Sequence, residues 1–138
     1  MNGQEQFEKW KASFFLLHSL WEMQESSRDP RWGILLNNLS DLLRNDPKIQ
    51  FSSSHKTTLE HPAFQLLLEI GPVIIPWVFK RYSKTDIEER VHGWWCPIFL
   101  GKTFKQNNVV IPEHAGNYNL MREDWLKWGR EQGYLGNE

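Results

Sequence analysis

The stretch "HPAFQLLLEIGPVIIPWVF", residues 61–79, is as apolar as a buried helix yet holds three prolines. Proline lacks a backbone donor and clashes with the preceding turn inside a helix, so each must sit at a boundary or in a first turn. Pro62 stands where a helix would begin. Gly71 followed by Pro72 reads as a stop and a restart, the glycine closing one helix in the left-handed conformation and Pro72 opening the next. Pro76 is then the fifth residue of that next helix, near enough to its start to remove few donors, with a kink there. The stretch therefore predicts two short antiparallel helices joined by a tight Gly-Pro turn, a HEAT-like hairpin. One such unit is not a solenoid, because stacking needs about three. His61, just ahead of the first helix, can cap its first turn or hold a partner carboxylate.

Toward the N-terminus, Phe7, Trp10, Phe14, Leu17 and Trp21 recur at steps of three and four and predict an amphipathic helix from Gln4 to about Ser26. "RDPRWG" then offers Asp29 as a cap and Pro30 as a pre-set first position. Leu35, Leu36, Leu39, Leu42 and Leu43 form the stripe of a second helix ending near Asn45. The short connection predicts a helical hairpin over residues 4–45. Residues 46–58, "DPKIQFSSSHKTT", lose the period and read as a loop with a short extended piece.

Toward the C-terminus, Thr85 and Glu88 form a capping box for a further helix, which Pro97 should bend or end near Cys96. Asn117 caps a final helix carrying Leu120, Met121, Trp125 and Trp128, with Gly133 as its stop. The ending "GYLGNE" should fray except where Tyr134 packs. The expectation is one all-α domain over residues 1–138, a compact bundle of about five or six helices. Its parts are the hairpin at 4–45, the loop at 46–58, and the HEAT-like pair and C-terminal helices at 60–134.

Blocks at residues 61–79 and 94–134 resemble a small uncharacterised bacterial family. Its pattern runs HPA-aromatic-Q, then GP with a proline four residues on, an aromatic-rich helix, and a closing M-x3-WL-x-WG-x3-GY. Here these are His61, Pro62, Ala63, Phe64 and Gln65; Gly71, Pro72 and Pro76; Trp94 and Trp95; then Met121, Trp125, Leu126, Trp128, Gly129, Gly133 and Tyr134. Where the family has a His-Trp-Phe-Trp run and an Ile-Thr-Gly turn, this chain has His92, Trp94, Trp95 and Leu100-Gly101. The resemblance implies a fold and carries no activity with it.

Composition narrows the function. Among 138 residues the formal net charge is -1 and the signs are mixed, so there is no broad basic surface for phosphate backbones or anionic lipid. The N-terminus lacks the basic and apolar regions of a signal peptide, and no run reaches about 18 uninterrupted apolar residues. A single cysteine, Cys96, rules out an intrachain disulfide. These features predict a cytoplasmic protein that does not engage a membrane.

The chemical candidates are few. His92 and Cys96, four apart, share a helix face and could begin a metal or thiol site, although Pro97 disturbs that geometry. The bland alternative makes Cys96 a small buried hydrophobe. Glu88 with Glu89 and Glu123 with Asp124 are adjacent pairs that diverge on a helix and cannot flank one bond. No P-loop spacing occurs. Lys80, Arg81 and Lys84 are the compact basic cluster, either a helix C-terminus complementing its dipole or a contact for nucleic acid. Trp94 and Trp95 are adjacent, so both cannot face one core, and the outer one is a candidate anchor. The expected function is non-catalytic protein binding without a cofactor: an adaptor, inhibitor or antitoxin-like regulator of a larger bacterial or phage-encoded partner. Its candidate contacts are Trp94, Trp95, Lys80, Arg81, Lys84 and His61. The alternatives are a nucleic-acid-associated factor and a small metal- or thiol-dependent enzyme.

Overall fold

A computed structural model describes residues 3–14, 17–51, 55–84, 93–105 and 108–135, and every regular element among them is helical. The protein is all-α, as its periodicity predicts. Its chain divides into two units, Met1–Ile74 and Ile75–Glu138.

In the first unit α1 is Gly3–Phe14, α2 Leu17–Met23 and α3 Arg31–Asn45. The side chains of Trp10, Phe14 and Leu17 lie outside those described. Phe7 is buried as its place in the stripe requires, but Trp21 is not: it stands 74% exposed while Met23, two residues on and on another side of the helix, is completely covered. A connection of turns links α2 to α3. Asp29 Oδ1 accepts from the Arg31 backbone N–H at 2.9 Å, and the Trp32 indole N–H donates to the carbonyls of Met23 and Ser26 at 3.0 and 2.9 Å. Trp32 is thus both core and clasp, and Leu35, Leu36, Leu39 and Leu43 continue the buried face of α3.

The expected loop at 46–58 is largely helical and contains no extended piece among its described residues. Helix α4 is Pro47–Gln50 and α5 is His55–Glu60. Asp46 caps α4, accepting from the Lys48 N–H at 2.9 Å, and Pro47 takes the first-turn position where a missing donor costs nothing. Polarity and short length hid these elements from a reading by period.

Helix α6, Pro62–Ile70, starts at the proline and ends at Gly71 as expected. Gly71 has φ 70° and ψ -137°, a positive φ open to glycine but not the left-handed helical pair of angles the sequence suggested. Pro72 does not open an α-helix either. Residues Gly71–Ile74 form a 3-10 turn, and α7 begins only at Ile75 and runs to Tyr82. Pro76 consequently falls in the first turn of α7 instead of at a fifth position. By length and composition the helical run Pro62–Tyr82, whose most apolar 18-residue window has a mean hydropathy of 1.5, would suffice to cross a membrane. A core helix of a soluble protein passes the same test, and half of the run's most apolar window is buried.

In the second unit α7 is followed by α8, Cys96–Phe104, and α9, Tyr118–Glu131. The Thr85–Glu88 capping box and His92 lie outside the described residues. Pro97 lies in the first turn of α8, which begins at Cys96 after a turn at residues 94–95; most of the helix expected ahead of it falls outside the described residues. Asn117 Oδ1 caps α9 by accepting from the Leu120 N–H at 3.1 Å. At the other end Gly133, with φ 85°, turns the chain so that its N–H reaches the Arg130 carbonyl at 3.1 Å and the Tyr134 N–H reaches the Gly129 carbonyl at 2.8 Å. This is a Schellman stop.

Candidate functional site

In the first unit two helix caps and the backbone of α1 meet at one buried pair, Asp46 and His61. The imidazole of His61 caps α6, with Nδ1 accepting from the Ala63 N–H at 3.0 Å. Its Nε2 lies 3.1 Å from Asp46 Oδ2, and both side chains are nearly inaccessible, at 4% and 7%. Gly3 of α1 covers the pair closely enough that a Cβ there would come within 2.0 Å of Asp46 Oδ2 and 2.8 Å of His61 Nε2. A pocket of about 270 Å³ opens beside them, lined also by Gln4, Lys48, Thr57 and Glu60.

Hydrogen bonding fixes the state of this imidazole. Because Nδ1 accepts, the proton of the neutral ring must be on Nε2, toward Asp46. The approach is close but poorly aligned, and Nε2 has no hydrogen-bond partner among the described residues. Burial pushes the pKa of His61 below the ordinary imidazole value, and the Asp46 carboxylate only partly offsets that. His61 is therefore neutral at pH 7 with no free lone pair facing the pocket. As arranged it serves neither as a general base nor as a metal ligand. No group of three or more His, Cys, Asp or Glu able to hold a metal ion occurs among the described residues.

The second unit holds an aromatic cluster. Phe104 and Trp128 meet edge to face at 4.7 Å, Tyr134 lies 5.3 Å from Phe104 and 5.8 Å from Phe79, and Trp125 packs edge-on to Trp128 at 5.7 Å. Gly129 makes the close approach possible, since a Cβ on it would reach within 2.8 Å of the Phe79 ring. Nearby, Asp124 Oδ2 accepts from the Ile111 N–H at 3.1 Å and lies 2.7 Å from His114 Nδ1. Burial opposes ionisation of Asp124, but these bonds outweigh it and hold the carboxyl below its usual range.

Of the residues singled out by sequence, His61 belongs to the first unit and Trp94, Trp95, Lys80, Arg81 and Lys84 to the second. Trp95 is completely buried and meets Phe99 edge-on at 6.2 Å, whereas Trp94 is half-buried. The adjacent tryptophans do divide between core and rim. Lys80 is exposed with its ammonium 5.5 Å from the Trp77 ring centre, Arg81 is half-buried, and Lys84 is exposed and accepts at its carbonyl from Arg122 at 3.3 Å. Cys96 is completely buried, which raises the pKa of its thiol and keeps it protonated at neutral pH. His61 does the two things its position allowed, capping a helix and facing a carboxylate, but it is covered.

What the sequence did not mark are Asp46, Trp21 and Phe51, the last 89% exposed at the end of α4. Asp46-Pro47 repeats the signal of Asp29-Pro30 and could have been read the same way. Trp21 had no distinguishing signal, because it sits in phase with Phe7 and Phe14.

No protein-family model matches the chain, and no curated protein or solved structure matches it either.

Proposed function

We propose that the chain is a non-catalytic protein-binding module, an adaptor, inhibitor or antitoxin-like regulator that acts in the cytoplasm on a larger partner and needs no cofactor. The observation that supports this most is exposure: Phe51 and Trp21 stand 89% and 74% in solvent in a chain that covers Trp32, Trp95, Phe64, Phe79 and Phe99 completely. Large aromatic side chains are the usual anchors of protein interfaces, where desolvating them supplies much of the binding energy. Half-buried Trp94 and the Lys80 side chain beside Trp77 are further candidate contacts. Kinship with the small bacterial family that shares the HPA-aromatic-Q, GP and WL-x-WG-x3-GY blocks belongs to this proposal. Those blocks supply caps, stops and packing, which is consistent with a family defined by its fold.

The test is affinity capture from a bacterial lysate with the wild type and with a Trp21→Ala, Phe51→Ala double variant of unchanged helical circular dichroism. A discrete protein captured by the wild type and lost with the double variant is expected. Equal capture by both would contradict the role of these two side chains. Recovery of nucleic acid with steep salt dependence would favour the alternative, in which Lys80, Arg81 and Lys84 contact phosphates.

A further inference from the structure

The Asp46–His61 pair joins the start of α6 to the start of α4 through an imidazole, a group that can take up a second proton. Two features make the joint sensitive to protons. The Ala63 N–H needs the Nδ1 lone pair, 3.0 Å away, and that lone pair is where a second proton would bind. Once protonated, Nδ1 presents a donor to a donor, and the cap of α6 is lost. An imidazolium would in return attract Asp46 more strongly, so the outcome depends on which effect is larger.

The surroundings decide it. From the start of α4 the imidazole faces Asp46, with Lys48 on the pocket wall; α5 supplies Glu60, an exposed side chain 3.9 Å from Lys56; α1 supplies the neutral Gln4 and the Gly3 backbone. Among the described residues Asp46 is the one group within contact distance that favours the charged ring, and its geometry to Nε2 is poor. Removal from water outweighs it, which is why the pKa of His61 is lowered and not raised.

We propose that His61 is an acid-sensitive latch of the first unit: protonation at Nδ1 releases the Ala63 N–H and frees the start of α6 from the Gly3–Asp46–His61 junction. A group with a lowered folded pKa contributes stability that is complete above the unfolded value, about 6.5, and is lost progressively as pH falls below it. The latch is thus closed at pH 7 and loosens as pH falls below the unfolded value. Carboxylates titrate lower, so the window between about pH 7 and pH 5 isolates the histidine.

The experiment is amide hydrogen exchange of Ala63 between these two pH values, normalised to the intrinsic rate at each pH, in the wild type and in His61→Asn. Asparagine keeps a cap acceptor that does not titrate. Protection of Ala63 is expected to fall several-fold toward the acid end in the wild type and to stay level in the variant. Level protection in the wild type, or an equal fall in both, would overturn the proposal. Should the variant not fold, the wild-type imidazole titration by NMR decides instead: an Nε2–H tautomer with a midpoint under 6.5 is expected, and a midpoint at or above 6.5 would overturn it.

Discussion

At the scale of single residues, Gly3 and His61 show how much the junction depends on shape. Helix propensity alone says that alanine at position 3 should stabilise α1 by about 1 kcal/mol relative to glycine. The structure says the reverse, because the added Cβ would press on Asp46 Oδ2 and His61 Nε2, neither of which is the end of a long flexible chain. Gly3→Ala is expected to destabilise the protein by about 1 to 3 kcal/mol, read as a lower urea midpoint at unchanged slope. An increase in stability would mean that α1 does not approach the pair this closely. The same reasoning explains why His61 was legible as a cap while Asp46 was not recognised as its counterpart. A cap follows from a residue's own neighbours, but a pair separated by two helices follows only from the packing.

At the scale of elements, the starts and stops were the readable part. Pro62, Asn117 and Gly133 mark ends that sequence and structure share, because each satisfies or removes a backbone group at a helix terminus whatever surrounds it. Residues 46–58 were misread because a helix of one turn carries no period, although Asp46-Pro47 stated its beginning. Pro72 falls in a 3-10 turn instead of opening an α-helix, because proline says that a helix does not run through it and leaves open where the next one starts. The WL-x-WG-x3-GY stretch becomes intelligible here, since Gly129 admits Phe79, Gly133 makes the Schellman turn and Tyr134 closes over Phe79 and Phe104. Two glycines separate conformational need from mere tolerance. Gly71→Ala is expected to cost about 1 to 3 kcal/mol because its φ of 70° strains any side chain. Gly101→Ala, inside α8 with open space around its Cβ, is expected to gain up to about 1 kcal/mol. Thermal unfolding of the two variants checks both signs, and a tolerated Gly71→Ala would contradict the turn.

At the scale of the whole molecule, the aromatic supply explains both what holds the chain and what it leaves available. Trp32 fastens α2 to α3 in the first unit, and the Phe79, Phe104, Trp128 and Tyr134 cluster holds the second. A net charge of -1 gives the chain no broad electrostatic field with which to draw a polyanion. Trp21 and Phe51 are the most exposed large aromatic side chains among the described residues, and the proposed recognition by aromatic surface rests on them. The most direct measurement is hydrogen–deuterium exchange of the protein free and bound to its captured partner. Binding is expected to protect the peptides spanning residues 17–23 and 47–51. Protection confined to residues 80–84, or no change at either aromatic, would contradict the account.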